Sequence, residues 1–334
     1  MKLPNLQILR GISAILVCCF HFRADLNFDG NNWGNTLFDN GSIGVPIFFV
    51  ISGYIMVFST RKISHNEIGK NIVTFFKKRL IRIVPLYYLL TLFWILLSGS
   101  LLHFLNENNY ERLLNSLLFL PQKDQFPILF LGWSLNFEMF FYFIFALSLV
   151  FKNYRYLAII IFFAIAIIFG FIFKPENAIL KMITGTLNIY FIIGILLGLF
   201  LHKIQVTTTI LKFSSIIFIV VFASYFFNLI NISKELLAII PVTLFVAAFL
   251  IFDLFLKVKA NSFPKMLGDI SYSIYLFHPF VEVFFRRFHT DSSLLLIGLF
   301  IVKLGVVILV SKILFELIEN RFTKYLKRKI LPHC

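Results

Sequence analysis

Apolar residues run along this chain in long blocks, and polar residues gather in the short intervals between them. The blocks lie near 8–24, 42–60, 83–102, 132–151, 157–173, 183–201, 213–230, 236–256, 269–287 and 294–318. Each approaches the roughly 17–25 residues that a helix needs to cross a bilayer core of about 30 Å. Backbone in lipid must satisfy its own hydrogen bonds, so blocks of this length are helices. The pattern predicts an all-α polytopic membrane protein with about ten transmembrane helices in one bundle, a single domain over 1–334. The interval of roughly 103–131 contains LLNSLLFLPQ, too short to span, which reads as a re-entrant or interfacial helix.

Composition supports this reading. Hydrophobic residues make up 59% of the chain and charged residues 14%, against about 25% charged in soluble domains. The net charge of +15 raises the question of nucleic acid, but the basic residues sit between the apolar blocks. Lys62, Lys70, Lys77, Lys78 and Arg79 crowd the interval from Arg61 to Arg82, and a second group runs from Arg321 to Lys329. With the amino end inside, inner segments hold roughly 20 Lys and Arg and outer segments roughly 8, so orientation in a bilayer accounts for the charge. Both termini are expected in the cytoplasm, with no nucleic-acid partner. Arg10 interrupts the first block and no small-residue cleavage site follows, so that block is expected to remain as a span. Cys18, Cys19 and Cys334 offer no disulfide framework. The 45 Phe residues read as lipid-facing filler, and Gly194 with Gly198 as a close-packing pair.

Ionisable residues inside the blocks are costly and therefore informative. Arg10 and His21 share a stripe of the first block about 16 Å apart. An anionic head could bind at one and chemistry occur at the other, although a snorkelling Arg and a core His would give the same pattern. Cys18, one turn from His21, fits inert packing better than a nucleophile. In GWSLNFEMFFYF, Ser134, Glu138 and Tyr142 recur on one helical face. In SYSIYLFHPFVE, Ser271, Tyr275, His278 and Glu282 do the same, and Pro279 is expected to bend or break that helix. Lys78, Arg79 and Arg82 flank the entry of the third block, where guanidinium groups suit phosphate and basic residues also suit orientation.

Five segments in order, QILRGISAILVCCFHF, GVPIFFVISGY, FKKRLIRIVPLYY, GWSLNFEMFFY and SYSIYLFHP, together resemble the acyltransferase-3 family of integral-membrane acyltransferases. The likeness covers essentially the whole chain and is nearest to stand-alone O-antigen O-acetyltransferases. It implies a multi-pass protein of the bacterial inner membrane that moves an acyl group, commonly acetyl, from cytoplasmic acyl-CoA to a sugar hydroxyl of a surface polysaccharide such as lipopolysaccharide O-antigen. The implied partners are acyl-CoA, a carbohydrate acceptor that is lipid-linked or free, and the bilayer. By the resemblance, His21 and Glu138 are catalytic, and Arg10, Arg79 and Arg82 bind the donor. Trp133 and Ser134 belong to its Trp-Ser-x-x-x-Glu motif, and with Tyr142, Ser271, Tyr275 and His278 they are assigned to substrate binding. Acetyl-CoA enters as a substrate; no tightly bound cofactor and no metal is expected, since a thioester is already activated. A flippase for polysaccharide intermediates is the competing reading, because intramembrane charge also marks transporters, but no internal repeat is visible.

Overall fold

The computed structural model describes residues 3–61, 63, 67–97, 107–229, 238–288, 290 and 292–331. Readings that fall on Lys62, 98–106, 236–237 and Cys334 lie outside these residues. The described chain is almost entirely helical, in the order α1 (Pro4–Phe22), α2 (Trp33–Phe38), α3 (Gly44–Thr60), α4 (Ile68–Leu97) and α5 (Glu107–Leu117). There follow α6 (Gly132–Ser148), α7 (Arg155–Phe173), α8 (Ala178–Ile183), α9 (Asn188–Phe200) and α10 (Thr208–Phe226). The last are α11 (Ile239–Ile251), α12 (Ser262–Asp269), α13 (Ser271–Phe285), α14 (Ser293–Leu314) and α15 (Thr323–Ile330). A two-residue hairpin ladder, Asn27–Phe28 against Asn31–Asn32, is the strand pairing after α1.

Eight stretches of the described residues are long and apolar enough to cross a membrane. One of them, Gly132–Phe173, is 42 residues long and holds two of the expected spans. It is interrupted at Lys152, whose φ of 51° leaves the helical region, and α6 and α7 then pack on each other. The remaining expected span is α13, which has 15 residues. Pro279 lies inside it, and of the two expected outcomes, a bend or a break, the break does not occur. The short helix of the 103–131 interval is α5, which stops at Leu117; the LFLP residues after it form a turn rather than helix.

The chain divides into two compact units, Met1–Ile51 with Leu196–Phe315 and Ser52–Ile195 with Glu316–Cys334. In the first, α1 packs against α12 and α13, and α10 against α11. Ala14, Cys18 and Phe22 bury their side chains with Ile274, Phe300 and Val307 from the other helices. Both cysteines of the first block are thus core. Helices can approach this closely only over small residues: a Cβ on Gly11 would stand 2.7 Å from the Gly268 nitrogen, and one on Gly268 1.9 Å from the Gln7 carbonyl oxygen. The amino end of α1 is closed by a side chain from far along the chain. Asp253 accepts from the Asn5 and Leu6 backbone N–H groups at 2.9 and 2.8 Å, and from the Asn5 amide at 2.9 Å. A carboxylate there satisfies orphan donors and complements the helix dipole.

In the second unit α4 packs against α6 and receives α15. Gly53 of α3 sets its α-carbon against Gly194, so the small residue noted in the sixth block does serve packing. The phenylalanines divide between two uses. Phe169, Phe171 and Phe173 are exposed, as lipid-facing filler would be, whereas Phe141 and Phe191 stack face to face at 4.2 Å in the interior. Arg155 is buried where α7 begins, donating to the carbonyls of Thr60 at 2.9 Å and Lys152 at 2.8 Å.

Gly268→Val should lower the apparent melting temperature of the purified protein in detergent, by the equivalent of about 1–3 kcal/mol or more, because backbone rather than a flexible side chain meets the new atoms. Gly298→Val, at a position with open space, is the matched control and should leave the melting temperature unchanged.

Candidate functional site

Six of the eleven residues singled out from sequence lie in the second unit and five in the first, so each group is built within its own unit. In the first unit, His21 stands on the last turn of α1 with its ring 5.0 Å from that of His278 on α13, tilted by 36°. His278 is fully buried and is placed by its own helix. Pro279 has no N–H to give the Tyr275 carbonyl, and the imidazole lies against the Tyr275 and Ile274 carbonyls, with Nδ1 3.3 Å from the latter. An Nδ1–H suits that contact and leaves Nε2 as acceptor, a buried atom with no hydrogen-bond partner among the described residues. The Tyr275 ring lies 6.2 Å from the His278 ring. Ser271, two turns earlier on α13, buries a hydroxyl that likewise has no hydrogen-bond partner among the described residues. Arg10 is three turns from His21 and donates to Gln7 at 3.2 Å, while Gln7 donates to Asp269 at 3.0 Å.

Beside His21 lies a cluster not identified from sequence. Lys303 of α14, only 2% exposed, places its ammonium between two carboxylates, 2.7 Å from Asp25 and 2.9 Å from Glu282. It also sits 5.5 Å from the centre of the Phe22 ring. Asp25 follows His21 by four residues, and Glu282 follows His278 by four, so the ammonium ties the segments carrying both imidazoles to α14. Glu282 is near enough to His21 for their charges to interact, as is Arg23. A lysine in the middle of an apolar block was a visible signal, and Lys303 meets the same criterion that singled out Glu138.

In the second unit Glu138 and Tyr142 do meet, as their spacing predicts. The Tyr142 hydroxyl donates to Glu138 Oε1, which also accepts from Ser52 of α3 at 3.0 Å. Tyr142 carries the cluster onward: the Arg79 guanidinium lies 5.2 Å from its ring centre and 5.5 Å from that of Phe75. Arg79 Nε is buried and has no hydrogen-bond partner among the described residues. Arg82 and Lys78 stand on the same flank of α4, and α15 brings Lys327 within electrostatic range of all three. Among the described residues these four basic side chains gather with Glu138 as the carboxylate in electrostatic range of Arg79, a net positive arrangement. Ser134 and Trp133 serve other surroundings. The Ser134 hydroxyl donates to the Leu131 carbonyl at 3.1 Å, and Trp133 faces a cavity bounded by residues 121–127 and 176–182.

A family model described as an acyltransferase domain matches residues 3–316. Among curated proteins, the chain is 33% identical over 254 residues to the exopolysaccharide production protein ExoZ of Rhizobium meliloti (strain 1021), covering 73% of this chain and 77% of that one. It is 35% identical over 105 residues to YrhL of Bacillus subtilis (strain 168), named as a candidate peptidoglycan O-acetyltransferase, over 30% of this chain and 15% of that one. It is 28% identical over 161 residues to the acyltransferase MdmB of Streptomyces mycarofaciens, over 44% of this chain and 39% of that one. No solved structure gives a significant match.

Replacing Lys303 by Met would leave two converging carboxylates without their cation. The expected loss is about 3–5 kcal/mol, read as a marked fall in apparent melting temperature. Neutralising all three, Lys303→Met with Asp25→Asn and Glu282→Gln, should recover most of that loss. A single Lys303→Met protein as stable as the parent would show that the ammonium is not needed there.

Proposed function

The chain belongs to the acyltransferase-3 family, and on that premise we propose that it is an acyl-CoA-dependent O-acyltransferase. It takes an acyl group, acetyl first among candidates, from cytoplasmic acyl-CoA and places it on a sugar hydroxyl of a surface polysaccharide such as lipopolysaccharide O-antigen. The names of the relatives, an exopolysaccharide production protein and a candidate peptidoglycan O-acetyltransferase, favour a glycan acceptor. The observation that carries the reading is His21, an imidazole half-buried in a membrane helix of an acyltransferase and held against His278.

His21 acts as general base: it takes the proton of the acceptor hydroxyl as that oxygen attacks the thioester carbonyl. The new C–O ester bond forms, the C–S bond breaks, and the proton passes to the departing thiolate, so free CoA and the O-acyl sugar leave in balance. The same imidazole could instead carry the acyl group between two steps; the overall balance is identical. Arg79, Arg82 and Lys327 receive the donor phosphates, for which planar guanidinium groups and ammonium charge are suited. Glu138, held by Ser52 and Tyr142, orients or assists at the reacting end. Arg10 contributes to the donor side, and Trp133, Ser134, Ser271, Tyr275 and His278 to substrate positioning. The excess of basic residues in alternate loops supports an inner-membrane protein with both termini in the cytoplasm.

Sealed vesicles of known orientation test the reading directly. Acetyl-CoA labelled in the acetyl group and supplied only on the cytoplasmic face should label glycan held on the opposite face and release CoA. His21→Ala should reduce that transfer to background at undiminished abundance. If both substrates must share one compartment, the through-membrane route is wrong, and full transfer by His21→Ala would remove that residue from the chemistry.

Arg79→Lys and Arg82→Lys should each raise the KM for acetyl-CoA several-fold with a smaller change in kcat, because a point charge replaces a planar bidentate donor. An unchanged donor KM in both variants would return these arginines to a purely topological role.

A further inference from the structure

Trp133, placed above among the substrate-positioning residues, faces a cavity. It encloses about 600 Å³ within the second unit, inside the range of roughly 300–1,000 Å³ typical of small-molecule sites. Its walls are aromatic, from Phe126, Trp133 and Phe137, and its floor includes Asn136, which is 2% exposed. Trp133, Asn136 and Phe137 are successive neighbours on one face of α6. The Asn136 Oδ1 is buried with no hydrogen-bond partner among the described residues, a costly arrangement that a ligand donor would relieve.

The rim is constructed rather than incidental. Gln122 and Gln125 pair across a tight turn whose Asp124 has a φ of 56°. Arg112 of α5 fixes that loop by donating to the Phe126 carbonyl at 3.0 Å. The opposite lip is set by Asn177, whose side chain caps α8 by accepting from Ile179 and Leu180. Lys123 and Glu176 reach across from the two lips to 3.8 Å.

The charges decide what the cavity can take. Lys123 and Lys181 are matched by Asp124 and Glu176, so a polyanion such as acyl-CoA finds no net attraction here, unlike at Arg79 and Arg82. Flat aromatic faces beside buried amide and rim hydrogen-bonding groups complement a neutral pyranoside, which has an apolar CH face and a belt of hydroxyls. Position fits as well. Trp133 and Tyr142 are nine residues apart on α6, about 14 Å along the axis, with Glu138 between them. Cavity and guanidinium cluster therefore address opposite ends of one helix.

We propose that this cavity is a binding subsite for a neutral pyranoside unit of the acceptor glycan, with Asn136 donating to and accepting from its hydroxyls and Trp133 covering its CH face. The proposal rests on the acyl-transfer reading for the word acceptor, but the site itself is read without it.

The test uses the full-length protein in nanodiscs and saturation-transfer NMR with methyl glucoside, galactoside and mannoside, no donor present. At least one should give saturable transfer that excess acetyl-CoA does not displace. Asn136→Leu and Trp133→Leu should each weaken it about tenfold, the scale of one lost hydrogen bond or stacking contact. Gln125→Ala on the exposed rim, where folding is not at risk, should weaken it several-fold. No binding by any of the three glycosides, or binding unaltered in these variants, overturns the subsite. In the vesicle assay the same variants should raise the acceptor KM and leave the donor KM unchanged. Glycoside binding without any acyl transfer would sink the enzymatic reading and leave the subsite, whereas transfer with an unaltered acceptor KM would sink the subsite alone.

Discussion

The constraint on which this structure depends is the cost of a charge in hydrocarbon. Lys303 lies among Phe22, Phe300 and Val307, and Asp25 and Glu282 bring carboxylates to its ammonium from two other segments. Satisfying that one ammonium fixes α14 against the end of α1 and against α13. These are the segments that carry His21 and His278, so the geometry of the imidazole pair follows from neutralising a neighbour.

The second unit answers the same constraint differently. Glu138 is accommodated by hydroxyls, from Ser52 and Tyr142, rather than by a direct ion pair with Arg79 among the described contacts. Arg79 in turn lies against aromatic rings, which stabilise a cation without neutralising it. The two buried cations thus differ in their neighbours: Lys303 is held between two carboxylates, Arg79 between two aromatic rings.

Much of this was legible in the sequence because helical periodicity is local. The apolar blocks became helices, the Glu138–Tyr142 contact followed from an interval of four, and the basic flank of α4 was visible as a run of charge. What escaped depends on residues far apart in the chain. Asp253 closes α1 across 248 positions, and Lys303 meets Asp25 across 278; no spacing rule joins such pairs. Asn136 was hidden for a different reason: it lies in the same helix as the recognised motif, but its importance comes from a cavity made by loops whose course no periodicity describes. The helix runs on past Pro279, and the imidazole immediately before it lies against a carbonyl of the preceding turn.

The closure of α1 by Asp253 bears on the order in which the molecule can be made. α1 carries His21, yet the carboxylate that satisfies its opening N–H groups is synthesised some 250 residues later, at roughly 5–20 residues per second. Lys303 comes later still. Throughout that interval α1 must wait in the membrane or its insertion machinery with its amino end uncapped and Asp25 without its cation. Nascent chains stopped short of α14 would already hold Ser52, Glu138 and Tyr142 and would lack the ammonium that joins the segments around His21.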